Sequence, residues 1–138
     1  ESRYLTHQGA EELDMVINIA AIKEGKTGLV KNEIVKIVDA ADGNCVKVII
    51  ETCLLTDDEK KLASEIATDG GADFIKTSTG FSLSGATEKD VKLIRKIIGP
   101  DMGIKASGGI KTLSDLKKLV KVGANRIGTS NAISIINE

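Results

Sequence analysis

The sequence predicts an α/β protein of about five parallel strand–helix units, arranged as part of a (β/α)8 TIM barrel. Three observations lead there. Short apolar, β-rich runs alternate with charged stretches of helical periodicity along the whole chain. A Gly-Ala pair recurs just before strands, at Gly9-Ala10, Gly71-Ala72 and Gly123-Ala124, where glycine permits the left-handed backbone that ends a helix. Charged residues, Asp14, Lys47, Lys76 and Lys105, stand inside strands.

The strands are expected at Leu13–Asn18, Cys45–Glu51, Asp73–Thr79, Met102–Ser107 and Asn125–Ser130. Between them, helices are expected at Leu29–Ala41, Asp57–Thr68, Glu88–Ile98 and Leu113–Val122, with a last short one after Asn131. Thr56 with Glu59, Thr87 with Asp90 and Thr112 with Asp115 have capping-box spacing, which fixes three helix starts. Val91, Ile94 and Ile98 share one helical face, as do Leu113, Leu116 and Val120. The units recur every ~25–30 residues, so short connections imply parallel strands and right-handed crossovers. A doubly wound sheet has helices on both faces and would bury those lysines unpaired, at several kcal/mol each. The mouth of a barrel is wet and accepts them. A rearranged five-stranded doubly wound sheet is the alternative. A complete barrel takes ~200–250 residues, so 138 residues do not close one alone.

Composition narrows the function. The chain is 41% hydrophobic and 28% charged, as expected of a single globular domain over residues 1–138. Nineteen basic against twenty acidic residues, with three aromatics, argue against nucleic acid and an anionic membrane surface. No apolar run is long enough for a membrane span or a signal-peptide core, so a cytoplasmic location is expected. Two cysteines and one histidine exclude a Cys/His metal framework, and no metal site or cofactor is expected. Gly25-Lys26-Thr27 resembles the end of a P-loop, but Ala20 stands where the required glycine would be, and no G-x-G-x-x-G is present. Cys45 and Cys53 read as packing residues, His7 as a surface helix residue, and Lys60-Lys61 and Lys117-Lys118 as solvated helix faces.

Four features carry candidate chemistry. Lys76 lies mid-strand in Phe74-Ile75-Lys76-Thr77-Ser78-Thr79-Gly80. An amine in a dry pocket or beside another cation is deprotonated more easily and is free to attack a carbonyl. Lys105 repeats the arrangement one strand later, and neighbouring strands lie ~4.8 Å apart, so the two lysines would repel. Asp14 shares strand parity with Val16 and Asn18 and is a candidate proton relay or partner to the lysines. Thr79-Gly80, Gly108-Gly109 and Gly128-Thr129-Ser130-Asn131 end successive strands, the last opening a helix, and free N–H groups and hydroxyls there would hold a phosphate.

These runs, with Lys47-Val48-Ile49-Ile50-Glu51-Thr52, Glu12-Leu13-Asp14-Met15-Val16-Ile17-Asn18 and Gly85-Ala86-Thr87, resemble the deoxyribose-phosphate aldolase family, in order and over nearly the whole chain. The resemblance implies a (β/α)8 barrel and a class I aldolase. Its reaction would interconvert 2-deoxy-D-ribose 5-phosphate with glyceraldehyde 3-phosphate and acetaldehyde, without metal or organic cofactor. It implies that Lys76 forms the Schiff base, that Lys105 is the cation lowering its pKa, that Asp14 relays protons through water, and that Lys47 lines the pocket. It implies that Gly80, Gly108, Gly109, Gly128, Thr129 and Ser130 bind the phosphate of a small sugar. The family carries about three further strand–helix units before the point matching Glu1, so a truncated barrel is expected. Its exposed edges would recruit partners, so a homo-oligomer is expected. A non-catalytic barrel fragment that binds phosphate or self-associates is the alternative function.

Overall fold

The computed structural model describes residues 1–138. Its five strands are β1 (Glu12–Val16), β2 (Cys45–Ile49), β3 (Phe74–Lys76), β4 (Gly103–Ser107) and β5 (Arg126–Gly128). They form one parallel sheet in the order β1-β2-β3-β4-β5. The helices are α1 (Ser2–His7), α2 (Ile19–Lys23), α3 (Thr27–Ala41), α4 (Asp57–Asp69), α5 (Glu88–Ile98), α6 (Leu113–Lys121) and α7 (Ala132–Ile136). Sequential order without a reversal is the topology of a barrel wall. A doubly wound sheet reverses its strand order at a switch point, so that alternative is set aside.

Side chains alternate across each strand, and the alternation here is apolar outward, charged inward. Val48, Ile75, Ile104 and Ala106 join one core with Ile34 of α3, Ile66 of α4, Val91 and Ile94 of α5 and Leu119 of α6. Fully burying each large aliphatic side chain contributes about 1.5–3 kcal/mol. The opposite, concave face carries Glu12, Asp14, Lys47, Lys76, Lys105 and Arg126, all of one parity in the strand register. The sheet is curled enough for Arg126 of β5 to donate to Glu12 of β1 at 2.7 and 2.9 Å, joining the first and last strands across that face. Arg126 also stacks over the Phe74 ring at 4.7 Å. Gly103 makes room for that ring, since a Cβ there would come within 2.3 Å of it.

The Gly-Ala repeat has a structural meaning. After Gly71-Ala72, Asp73 donates its N–H to Val46 O at 3.0 Å and accepts the Val46 N–H on its carboxylate at 2.8 Å. After Gly123-Ala124, Asn125 does the same to Ile104, at 2.9 Å both ways. Each clasp fastens the N-terminal end of one strand to its predecessor. Glu11, which follows Gly9-Ala10, accepts Cys45 N on its carbonyl at 3.2 Å and makes no such clasp.

Two capping boxes are complete, Thr56 with Glu59 and Thr112 with Asp115. At Thr87 only half forms, because the Asp90 carboxylate turns away to Lys60 Nζ at 2.6 Å. That contact corrects the reading of Lys60 as solvated: it is 8% exposed and ties α4 to α5, while Lys61 stays on the surface with Asp58. Cys45 and Cys53 are half-buried free thiols at the margin of the apolar core, and Cys53 donates to Ser82 Oγ at 3.3 Å. His7 lies exposed at the end of α1, as expected. No helix is long and apolar enough to cross a membrane.

Candidate active site

The strand register places Lys76 of β3 directly opposite Lys105 of β4, and Lys105 opposite Arg126 of β5. On the other side, Asp14 of β1 is opposite Lys47 of β2. Asp14 joins the two halves: its carboxylate accepts from Lys76 at 2.7 Å and from Lys47 at 3.1 Å. Lys47, 1% exposed, also pairs with Glu12. The inner face thus holds a connected network of three cations and two carboxylates, Lys47, Lys76 and Arg126 with Glu12 and Asp14, and Lys105 beside it adds a fourth cation, an excess that favours a bound anion.

The network divides its members. Burial pulls the Lys47 pKa down, yet the bonds to Glu12 and Asp14 outweigh it and hold the pKa above the ordinary lysine value. Burial alone would raise the Asp14 carboxyl, but Lys76 and Lys47 carry it below its ordinary value. Lys105 has no carboxylate partner. Burial lowers its pKa, Asp14 pulls the other way, and Lys76, Lys47 and Arg126 add to the lowering. The repulsion expected between the paired lysines therefore shows on Lys105. Lys76 has instead a carboxylate within proton-transfer reach.

Both lysines open into a cavity of about 450 Å³ at the C-terminal ends of β3, β4 and β5. Gly80, Gly108, Gly109, Gly128, Thr129 and Ser130 all line it. The backbone N–H groups of Gly80, Gly108, Gly109, Thr129 and Ser130 have no acceptor within the chain, so they are available to an anion. Gly80, Gly108 and Gly109 have φ of 92°, 82° and 73°, a backbone that other residues adopt only under strain. Gly128 serves differently: a Cβ there would stand 3.0 Å from Ser107 Cβ and 3.2 Å from Lys105 Cε, crowding the wall beside that lysine. The hydroxyl of Thr129 is already committed, donating to Ile110 O at 2.7 Å and accepting from Asn131 N at 3.0 Å. Asp14 and Lys47 lie outside the lining and reach the cavity only through Lys76.

Sequence reasoning missed part of the wall. Phe81, Ser107 and Lys111 line the cavity beside the expected Thr79 and Asn131. Ser107 donates to Ser78 O at 2.6 Å and accepts Ala86 N on its carbonyl at 2.9 Å, fastening the ends of β3 and β4 to the loop before α5. Glu51, just beyond β2, is 4% exposed with φ 52° and was passed over. An acid directly after an apolar strand, at the end of a barrel wall, was the available signal.

Residues 2–134 match the DeoC/LacD family aldolase. The "Deoxyribose-phosphate aldolase 2" of Bacillus licheniformis is 54% identical over 138 residues, which are 99% of this chain and 62% of that protein. A solved aldolase is 42% identical with TM-score 0.93, covering 99% of this chain and 62% of its own. The deoxyribose phosphate aldolase from Aeropyrum pernix, described as having a unique tetrameric structure, is 34% identical with TM-score 0.89, over 99% of this chain and 58% of its own. The chain therefore spans about three-fifths of the length of the relatives it matches. With a match over nearly its full length in sequence and backbone, the chain belongs to the DeoC/LacD family of aldolases.

Proposed function

We propose that these residues carry a class I aldolase reaction that cleaves 2-deoxy-D-ribose 5-phosphate to glyceraldehyde 3-phosphate and acetaldehyde. The observation that carries the reading is the facing pair Lys76–Lys105 opening into a cavity ringed by unpaired backbone N–H groups. An amine and an anion cradle in one cavity fit a substrate with a carbonyl at one end and a phosphate at the other.

In this reading the phosphate sits on the N–H groups of Gly80, Gly108, Gly109, Thr129 and Ser130, with Gly128 keeping the floor open. Lys76 passes a proton to Asp14, and the amine so freed attacks the carbonyl carbon of the open-chain sugar. Asp14, 2.7 Å from that amine, carries protons as the carbinolamine loses water. The resulting iminium draws electrons from the bond between the second and third carbons. That bond breaks as the third-carbon hydroxyl gives its proton, through water, to Asp14 and becomes the aldehyde of departing glyceraldehyde 3-phosphate, leaving an enamine on Lys76. Protonation and hydrolysis release acetaldehyde and restore the amine. Lys105 stays beside Lys76 as the repelling neighbour, and Lys47 fixes the Asp14 carboxylate from below. No metal or organic cofactor takes part. A partner-forming role for the open edges of β1 and β5, a single domain completed by about three further strand–helix units, and a cytoplasmic location belong to the same reading.

The test is to incubate the chain with acetaldehyde and borohydride and to map the adduct by mass spectrometry. A single adduct on Lys76, lost in Lys76→Ala, is the expected result. An adduct on Lys105 would reverse the roles of the two lysines. Phosphate binding without any adduct would favour a non-catalytic phosphate-binding fragment.

A further inference from the structure

We propose that Glu51 is a positioning residue, whose buried carboxylate holds the Thr79–Phe81 turn so that the Gly80 N–H faces the substrate phosphate. The inference rests on the phosphate reading of the cavity given above.

Glu51 stands outside the lysine network. It is 4% exposed, and its carboxylate is met by one residue, Thr79. The Thr79 N–H donates to both oxygens at 3.3 and 3.2 Å, and the Thr79 hydroxyl donates to Oε2 at 2.5 Å. A buried carboxylate served by one residue is costly unless those bonds are strong, and a charged acceptor makes them so. The backbone of Glu51 is itself left-handed at φ 52°, a conformation a non-glycine residue holds only when its surroundings require it. Left-handed Glu51 turns the chain at the end of β2, and its side chain reaches the loop after β3.

The bond network continues into the cavity. The Thr79 hydroxyl, having donated to Glu51, accepts the Phe81 N–H at 3.1 Å. Both amides flanking Gly80 are thereby consumed, and Gly80, at φ 92° on the cavity wall, keeps the one free N–H of the turn. Glu51 thus sets which donor of this loop remains for a ligand. It touches neither the cavity nor the lysines, so it acts on phosphate affinity and not on the amine.

Three measurements on the full chain test this: calorimetric titration with inorganic phosphate, the rate of borohydride trapping with acetaldehyde, and the melting temperature. Glu51→Gln, which keeps shape and removes the charge, is expected to weaken phosphate about tenfold, the loss of one charge-assisted hydrogen bond. Acetaldehyde carries no phosphate, so its trapping should proceed at the wild-type rate. Glu51→Gly suits the left-handed backbone and is expected to weaken phosphate at least as much. A residue serving only the turn would give the opposite result, unchanged affinity in Glu51→Gly. Unchanged affinity in both variants overturns the proposal, and so does equal loss of affinity and trapping, which would mean general damage. If the Glu51 variants do not fold, Thr79→Ser and Thr79→Val ask the same question from the other side. Serine should retain affinity and valine lose it, and equal affinities overturn the proposal. Failure of the wild-type chain to bind phosphate would instead overturn the phosphate reading beneath it.

Discussion

Gly85→Ala probes whether the close packing of two loops builds the anion cradle. A Cβ at Gly85 would lie 2.0 Å from the Gly108 carbonyl oxygen and 2.2 Å from its carbon, where real contacts stay above 3.0 Å. Both neighbours are backbone, so no side chain can swing aside, and the loops have to part by about 1 Å. The separation falls on the bonds from Ala86 N to Ser107 O, 2.9 Å, and to Gly108 O, 3.2 Å. Losing one of them costs about 1 kcal/mol, a fall in melting temperature of about 3–4 °C for a chain of this size. The larger effect is on the ligand. Gly108 carries one of the free N–H groups, and displacing it weakens an anion contact by about 2 kcal/mol, about 30-fold in Kd. Calorimetric phosphate titration reads the effect directly. Gly28→Ala is the control: it lies in α3 with no heavy atom within 4 Å of its Cβ, and alanine there is expected to be neutral or stabilising. A Gly85→Ala chain that folds normally and binds phosphate within about twofold of wild type would refute the reasoning.

Two further outcomes concern charge. Asp90→Asn leaves the Lys60 ammonium, its side chain 10% exposed, with only Asp57 at 3.3 Å. The loss should be about 2–3 kcal/mol, or about 7–10 °C in thermal melts, and a shift under about 2 °C would contradict it. Burial lowers the Lys60 pKa, but Asp90 and Asp57 hold it above the ordinary 10.5. The pair's stabilisation is therefore whole below that value and is lost only as pH rises through the raised one. The wild-type advantage should stay level through neutral pH. Asp14→Asn removes the one carboxylate that supports the charge on Lys105, whose pKa burial already lowers. Lys105 should then lose its proton at a still lower pH, read from its side-chain resonances by NMR. An upward move would sink the account. A lysine with a lowered folded pKa makes the protein gain stability as pH climbs toward 10.5, and Asp14→Asn should widen that window downward.

The strand–helix beat was legible because each unit has both an apolar strand and a capped helix. Helix α5 falls at Glu88–Ile98, as the Thr87 cap and the Val91, Ile94, Ile98 face imply. Strand ends were less legible. The run Asp73–Thr79 is regular strand only over Phe74–Lys76: Thr77 still donates to Lys105 O at 3.0 Å and accepts from Thr52 N at 2.9 Å, and the ladder ends at Ser78, whose carbonyl turns to the Ser107 hydroxyl. Asn18, expected in the first strand, caps α2 instead, accepting from Ala21 N at 3.1 Å. The lysine pair, Asp14 and the glycine ends were visible because charge inside a strand and glycine after it are local anomalies. Lys60 was misread although the pattern held the answer: it lies on one helical stripe with Ala63, Ser64 and Ala67, all buried. Its partner Asp90 is 30 residues away, and no local pattern names it. Glu51 was hidden for the same reason, because its meaning lies in Thr79, on the next strand's loop.

The two ends of the sheet have been given different work, and the repeat explains how. At the N-terminal ends, Asp73 and Asn125 use side-chain oxygens to satisfy the preceding strand's N–H, so those donors are spent on holding strands together. At the C-terminal ends, glycines turn the chain sharply and leave N–H groups unspent. A donor cannot serve both ends of that bargain, so affinity for an anion has to arise where the sheet is not clasped. Glu51 and Ser107 then do for the open end what the clasps do for the closed one. They fix the loops through side-chain and carbonyl oxygens, and the amides that face the cavity stay free.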